Sequence, residues 1–528
     1  MSQPTRAELL RSLAAQPQRD LVVIGGGATG LGVALDAAAR GLSVALLEAE
    51  DFAKGTSSRA TKLVHGGVRY LAQGNLKLVR EALHERGVLM RIAPHLVQPL
   101  QFVLPVYGAK GRWLERFVYG SGLVLYDLLA GKAGYGKTEF LGAAAALERA
   151  SGLQPKDLAG AICYWDGQFD DARLAVALAR TAIARGATVL NRCPAVAIEH
   201  ENGRVAGVVA EDRESGARYA LKTRCVINAT GVWVDAVRRM DGAVKGDLVA
   251  PSQGVHLVVD RAFLPGGRAV LVPKTRDGRV LFAVPWLGAT ILGTTDTPRH
   301  DLAVEPEPFR AEVDFILSEA ARYLARAPAP GDVRSVWVGL RPLVRPPREA
   351  GDNTKTLSRE HTVRVERSGL VTVTGGKWTT YRAMAEDVLE CAMSHDLLPA
   401  REAGVTRSLA LVGAPARSEV PIGDPPSLSL YGTEAQLVRS LPGAERELAP
   451  GLSEAMVRFA ARSEYARSVE DVLARRSRLL FLDARRAAAA AEPVAALLAQ
   501  ELGAPFDAAA SAASFRELAA RYCRLPQK

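Results

Sequence analysis

Apolar positions along the chain alternate between strand-like runs and helical spacing. Leu21–Ile24 is unbroken and apolar, as a parallel strand covered on both faces would be. A glycine turn at 25–30 follows. Leu31 to Arg40 is rich in Ala and Leu, reads as a helix, and is closed by Gly41. Ser43–Leu47 is the next apolar run, so residues 20–48 form a βαβ unit. Leu76 to Ile92 again has helical spacing, and Pro94 stops it. Asp171 to Arg185 reads as a helix and Thr188–Leu190 as a short strand. Val205–Val209 and Tyr219–Leu221 read as a hairpin around Ser215-Gly216. Cys225–Asn228 is an apolar strand that enters Ala229-Thr230-Gly231. Strand and turn signals alternate over 254–296, as in an antiparallel sheet. Pro, Gly and Ser crowd 400–430, which marks a linker, and the remainder is helical and rich in Ala and Arg.

A chain of 528 residues is too long for one core, so two or three domains are expected. The formal charge of +10 suits attraction to a phosphorylated substrate or an anionic membrane face, and equally a solvated basic surface. The five cysteines are scattered, without paired spacing or interleaved histidines, which argues against a zinc site or a disulfide framework and suits a reducing compartment. The first twenty residues have no apolar signal region, and no apolar run reaches the roughly 18 residues that span a bilayer. These features are those of a cytoplasmic protein that at most lies on a membrane.

Gly25-Gly26-Gly27-Ala28-Thr29-Gly30 fits G-x-G-x-x-G. The pattern alone is weak, but here it follows a strand, opens a helix, and is succeeded by a strand ending at Glu48. In a dinucleotide fold Gly25 makes the tight turn, Gly27 admits a pyrophosphate and Gly30 lets helix and strand pack, while Glu48 binds ribose hydroxyls. The segment from Thr56 through Ser57, Ser58, Lys62, His65, Gly66 and Gly67 to Arg69 and Tyr70 joins small hydroxyls, glycines and cations. It fits a stretch running beside a flat ring system, and fits a surface loop as well. Ala229, Thr230 and Gly231 end a strand, and Thr374-Gly375-Gly376-Lys377 stands before a helix starting near Thr379, a second helix N-terminus able to receive negative charge.

From about residue 20 to 485 the chain resembles the FAD-dependent glycerol-3-phosphate dehydrogenases, which share the D-amino-acid oxidase-like flavoprotein fold. The resemblance rests on VVIGGGATG, TSSRATKLVHGGVRYL, WDGQFDDARL, INATGVWVD, SQGVHLVV, ILGTTDT, VGLRPL, VTGGKWTTYR and SEYARSVEDVLARRSRL, in that order. It implies an α/β architecture. A Rossmann-like FAD-binding domain is expected over 18–75, 160–235 and 350–395, and an antiparallel-sheet substrate domain over 76–159 and 236–349. A helical C-terminal domain is expected over 396–528.

The resemblance also implies bound FAD and oxidation of sn-glycerol 3-phosphate to dihydroxyacetone phosphate, with hydride passing to flavin N5 and electrons then to membrane quinone. The family's substrate-holding positions fall on Arg69, Tyr70, Arg341, Arg359 and Lys377, and its proton acceptor on His256. A phosphate dianion requires several cations, so the set is chemically consistent. Imidazole near its usual range would take the C2 hydroxyl proton, and Arg341 would stabilise the alkoxide. Gly376, Lys377 and Thr379 join the cofactor-binding set. An oxidase of the same substrate that reduces oxygen, an amino-acid oxidase and a non-catalytic flavin module are the alternatives. The amino-acid oxidase has no need of the phosphate cations, and nothing resembles a DNA-reading helix. A partner membrane is expected on the anionic cytoplasmic face, through Lys110 to Tyr119, where cations interleave with Trp113, Phe117 and Tyr119. Assembly is left open between monomer and homodimer.

Overall fold

The computed structural model describes residues 3–67, 71, 75–108, 112–131, 134–242, 246–345 and 360–526; of the helix Arg112–Ala130, side chains are described from Tyr119 onward. Six strands form the first sheet, in the order His361–Val365, Val371–Gly375, Cys225–Asn228, Leu21–Ile24, Val44–Leu47, Thr188–Leu190. All neighbours are parallel except the first pair. Leu21 lies opposite Val44 and Ile24 opposite Leu47, and every residue of both strands is buried. That two-sided burial is why these strands show no polar alternation. Helices Ala28–Ala39, Asp171–Ala184 and Tyr381–Ser394 pack together over this sheet. Gly32 permits the approach, since a Cβ there would lie 2.7 Å from the Tyr381 ring.

A ten-stranded sheet stands beside it. Its main path runs Thr297–Pro298, Val249–Asp260, Ala289–Gly293, Leu281–Trp286, Ala269–Val272, Val97–Tyr107, Leu158–Phe169, Leu63–Val64, with Ser335–Val344 and Glu139–Gly142 attached. The expectation of a purely antiparallel sheet is corrected at one place. Ala269–Val272 pairs in parallel with Val97–Tyr107, because the chain leaves for the first sheet between them and returns in the same direction. Leu158–Phe169, which straddles the boundary drawn at residue 160, is wholly a strand of this larger sheet.

Residues 400–430 are no loose tether. Leu411 N donates to Ile92 O at 2.9 Å, and Ile422 O accepts from Leu287 N at 2.9 Å. Pro and Gly disfavour an α-helix there, but the backbone groups still find partners, so the segment is a strap tied to the end of the helix Leu76–Ile92 and to the turn after Leu281–Trp286. The helices beyond it, from Glu454–Ser463 to Ala508–Cys523, share one continuous apolar core with the first sheet.

Candidate active site

A cavity of about 530 Å³ opens where the C-terminal ends of the parallel strands face the larger sheet. That is where an open α/β sheet holds its ligand. Gly25 has φ +109°, and a Cβ on it would stand 2.8 Å from Ala229 O. Gly27 lines the cavity and is the N-cap of the helix Ala28–Ala39, where a side chain would block close approach. Gly30 sits behind, against Gly25 O, with no room for a Cβ. Ser57 Oγ accepts from Ala28 N at 2.9 Å, so a hydroxyl from a distant segment caps this helix. Glu48 Oε2 accepts from Gly26 N at 2.6 Å and Oε1 from Glu50 N at 2.8 Å. Burial pushes its carboxyl up to about 7, against those two bonds. An open helix N-terminus with a carboxyl at the tip of the next strand fits an adenosine dinucleotide.

The 56–65 segment runs along the cavity, and Thr56, Ser57, Thr61 and His65 line it. Thr56 Oγ1 donates to Leu340 O at 2.6 Å, and Trp378 Nε1 to Ser57 O at 2.8 Å. Thr379 Oγ1 accepts from His65 N at 3.2 Å. These bonds stitch the segment to both sheets. Ala229, Thr230, Gly231, Gly376, Lys377 and Thr379 complete the rim. Gly375 and Gly376, at φ +81° and +72°, turn the chain from its strand into the Trp378–Thr380 turn and the helix beyond.

The opposite wall is made by Val249–Asp260 and Ser335–Val344. Their register sets Ser252 opposite Arg341, Gly254 opposite Gly339 and His256 opposite Trp337. Opposed residues of an antiparallel pair share a face, so the glycine pair leaves a gap between the arginine and the histidine. A Cβ on Gly254 would collide with the Arg341 guanidinium, and one on Gly339 would lie 2.8 Å from Arg59 O. Arg341 Nη2 donates to Thr294 Oγ1 at 3.2 Å and Thr295 O at 3.0 Å, which anchors the guanidinium from one side. His256 is buried, stacks on Trp337 with ring centroids 4.1 Å apart, and shares a hydrogen bond of 2.9 Å between Nε2 and Thr61 Oγ1. Its Nδ1 has no hydrogen-bond partner among the described residues. Burial first, then the charges of Lys62 and Arg341, hold this imidazole well below its ordinary range. That direction favours the unprotonated ring at rest, on the acid side of the near-neutral titration that the sequence leads one to expect.

The structure does not bring every expected residue to the cavity. Lys62 lies behind its wall, with Nζ bonded to Asp171 Oδ2 at 2.6 Å and Ser58 O at 2.7 Å. Ser58 is buried there too, and Gly66 N donates to Tyr126 Oη at 2.8 Å. Gly67, at φ +78°, turns the chain beyond them. Arg69, Tyr70 and Arg359 lie outside the described residues. Conversely, Lys54, Arg59, Thr61, Gly254 and Gly339 line the cavity and were not singled out from the sequence. The two glycines had a readable signal, since a glycine inside a strand pattern marks close approach.

Residues 20–388 match the family described as FAD dependent oxidoreductase, and 427–508 that described as the C-terminal domain of alpha-glycerophosphate oxidase. The chain is 40% identical to a probable mitochondrial glycerol-3-phosphate dehydrogenase of Caenorhabditis elegans, over 95% of this chain and 73% of that one. It is 39% identical to the mitochondrial glycerol-3-phosphate dehydrogenase of Macaca fascicularis, over 94% and 72%. The X-ray structure of the glycerol-3-phosphate dehydrogenase from Bacillus halodurans, complexed with FAD, superposes with a TM-score of 0.78 at 28% identity, covering 99% of both chains. FAD is therefore the cofactor of this protein, and the chain belongs to the FAD-dependent glycerol-3-phosphate dehydrogenases.

Proposed function

We propose that this protein oxidises sn-glycerol 3-phosphate to dihydroxyacetone phosphate and passes the electrons to membrane quinone. The observation that carries the reading is the wall facing the dinucleotide site, where His256 and Arg341 stand on one face with a glycine gap between them. FAD would supply the two-electron acceptor; the turn of Gly25 and Gly27 would hold its pyrophosphate and Glu48 its ribose. Lys377 on the cavity rim meets the substrate phosphate, together with Arg69 and Arg359. Arg341, anchored by Thr294 and Thr295, stabilises the alkoxide that develops at C2. His256 and Thr61, joined through Nε2, act as one proton-accepting pair for the C2 hydroxyl. A phosphate dianion offsets part of the positive field of Arg341 and Lys62, so the imidazole gains basicity when substrate arrives.

Reoxidation by quinone requires reaching a bilayer. No helix among the described residues is long and apolar enough to cross one. The helix Arg112–Ala130 nevertheless leaves Val124, Leu125 and Leu128 exposed at 51%, 39% and 76%, at a spacing that puts them on one stripe. Of the segment Lys110–Tyr119, residues 110 and 111 and the side chains of Trp113 and Phe117 lie outside the described residues, and Tyr119 packs partly against the core; we assign the adjoining apolar stripe to the cytoplasmic membrane face. The test is anaerobic: glycerol 3-phosphate bleaches the flavin and glycerol does not, and a quinone analogue restores the colour. No bleaching by glycerol 3-phosphate refutes the substrate. Rapid reoxidation by air with peroxide release, and none by quinone, makes the protein an oxidase.

A further inference from the structure

Lys62 is a fully buried lysine immediately behind the active-site wall, and the chemistry at the wall does not use it directly. Its Nζ is clamped by Asp171 and by the carbonyl of Ser58. It also lies over three rings, 4.5 Å from Trp337, 5.2 Å from Trp286 and 5.3 Å from Phe481. Trp337 is the ring on which His256 stacks, and the residue preceding Lys62 is Thr61, which bonds His256 Nε2. A single ammonium thus adjoins both supports of the imidazole.

The cluster is closed from the C-terminal region. Arg478 Nη2 donates to Asp171 Oδ1 at 3.0 Å and to Ser58 O at 2.9 Å, and its guanidinium lies 4.3 Å from the Phe481 ring. Asp170 lies 3.5 Å from Arg478 Nε. The side chains of Lys62, Asp171, Arg478 and Asp170 are all fully buried. Two cations and two carboxylates balance, so the positive charge of Lys62 can persist in the interior. Burial nevertheless pulls its ammonium down to about 7, against the attraction of Asp171.

We propose that Lys62 is a positioning residue for His256: clamped by Asp171 and Arg478, it fixes Thr61 and Trp337, the two supports of the imidazole, and places a positive charge behind it. The proposal rests on His256 being the proton acceptor and extends it. The charged groups that bear on His256 are Lys62 from the 56–65 segment and Arg341 from the neighbouring strand. Asp171, Arg478 and Asp170 act on Lys62 itself. Removing the ammonium removes one of the two cations, so the imidazole should protonate more readily.

The experiment follows His256 in the FAD-loaded protein by NMR of histidine labelled at Cε1. The chain has eight histidines, and the His256 signal is the one missing from His256→Asn. Its wild-type midpoint is expected well below the ordinary 6.5. Lys62→Met, which fills the aromatic nest without charge, is expected to raise that midpoint by about one pH unit. Lys62→Gln, which retains a donor for Asp171, is expected to do the same, and Lys62→Arg to leave it low. In the wild type a second, smaller shift of the same signal is expected as Lys62, drawn down from 10.5 by burial, loses its proton around pH 7. A wild-type midpoint at or above 6.5, absence of the second shift, or an unchanged midpoint in a folded Met or Gln variant each overturns the proposal. The titration needs no substrate, so a protein whose flavin glycerol 3-phosphate fails to bleach refutes the functional reading and leaves this result to be read on its own.

Discussion

An acid in a protein interior needs donors, and Glu48 meets two backbone N–H groups, that of Gly26 in the dinucleotide turn and that of Glu50 just beyond its own strand. Those bonds orient the acid before any ribose arrives. Hydrogen bonds to charged groups contribute about 1.5–3 kcal/mol, so Glu48→Ala is expected to weaken FAD binding roughly tenfold to a hundredfold. Isothermal titration of FAD into stripped protein measures it, and unchanged affinity removes Glu48 from the ribose site. Arg341→Ala is expected to lower turnover with glycerol 3-phosphate more than tenfold, since one lost donor to a developing oxyanion typically costs about 2.7–4 kcal/mol. A variant with wild-type kcat takes the alkoxide role away from Arg341. The acid limb of kcat/KM reports the resting enzyme. His256 is held below its ordinary 6.5, so that limb is expected on the acid side of 6.5 and absent from His256→Ala. A limb at neutrality, or one that survives the substitution, argues for another base.

Gly25, Gly27 and Glu48 could be read in the sequence because one contiguous βαβ unit carries all three, the parallel pairing of its strands setting Glu48 beside the turn. The environment of His256 could not. Its titration is set first by burial and then by the charges of Lys62 and Arg341, neither of which is near in sequence. The same holds for Lys62, whose placement behind the wall depends on Asp171 and Arg478, more than a hundred residues downstream.

The strand and helix periods over the βαβ unit match the observed elements closely because parallel-strand burial and helix spacing are local patterns. The strap at 400–430 was misread because Pro and Gly report only what the backbone cannot do. They are silent about which carbonyls it will meet. One ionic junction ties the loop carrying Glu305 to the 54–59 segment and to the helix Ala508–Cys523. Glu305 Oε1 meets Arg59 Nη2 at 2.5 Å and Lys54 Nζ at 2.8 Å, while Tyr522 Oη donates to Oε2 at 3.0 Å. Burial opposes ionisation there, but Arg59 and Lys54 outweigh it and bring the carboxyl from 4.5 down to about 2. A depressed folded value means stability that is present above pH 4.5 and lost as pH falls through about 2. Glu305→Gln is therefore expected to lower Tm at neutral pH, with the gap to wild type closing between pH 4.5 and 2. A pH-independent gap in thermal melts would show that the loss is one of packing.

At the scale of the molecule, the apolar stripe on Arg112–Ala130 and the charge of +10 make binding to a bilayer a testable surface property. Flotation with anionic liposomes at low salt is expected to carry the protein. Leu128→Glu is expected to weaken flotation severalfold while substrate still bleaches the flavin. Equal flotation of the two proteins assigns the contact to another surface.

The bond from Arg478 to the carbonyl of Ser58 joins residues 420 positions apart. Translation proceeds from the N-terminus, so the βαβ unit can fold long before its rear support exists. The support of the catalytic wall arrives only with the last tenth of the chain. Contacts of such separation also slow folding, because the intervening loop must be closed before they form. A ribosome-bound chain ending before Arg478 is thus expected to hold a formed dinucleotide turn beside an unfinished wall. The catalytic wall would thus be completed only after synthesis is nearly finished.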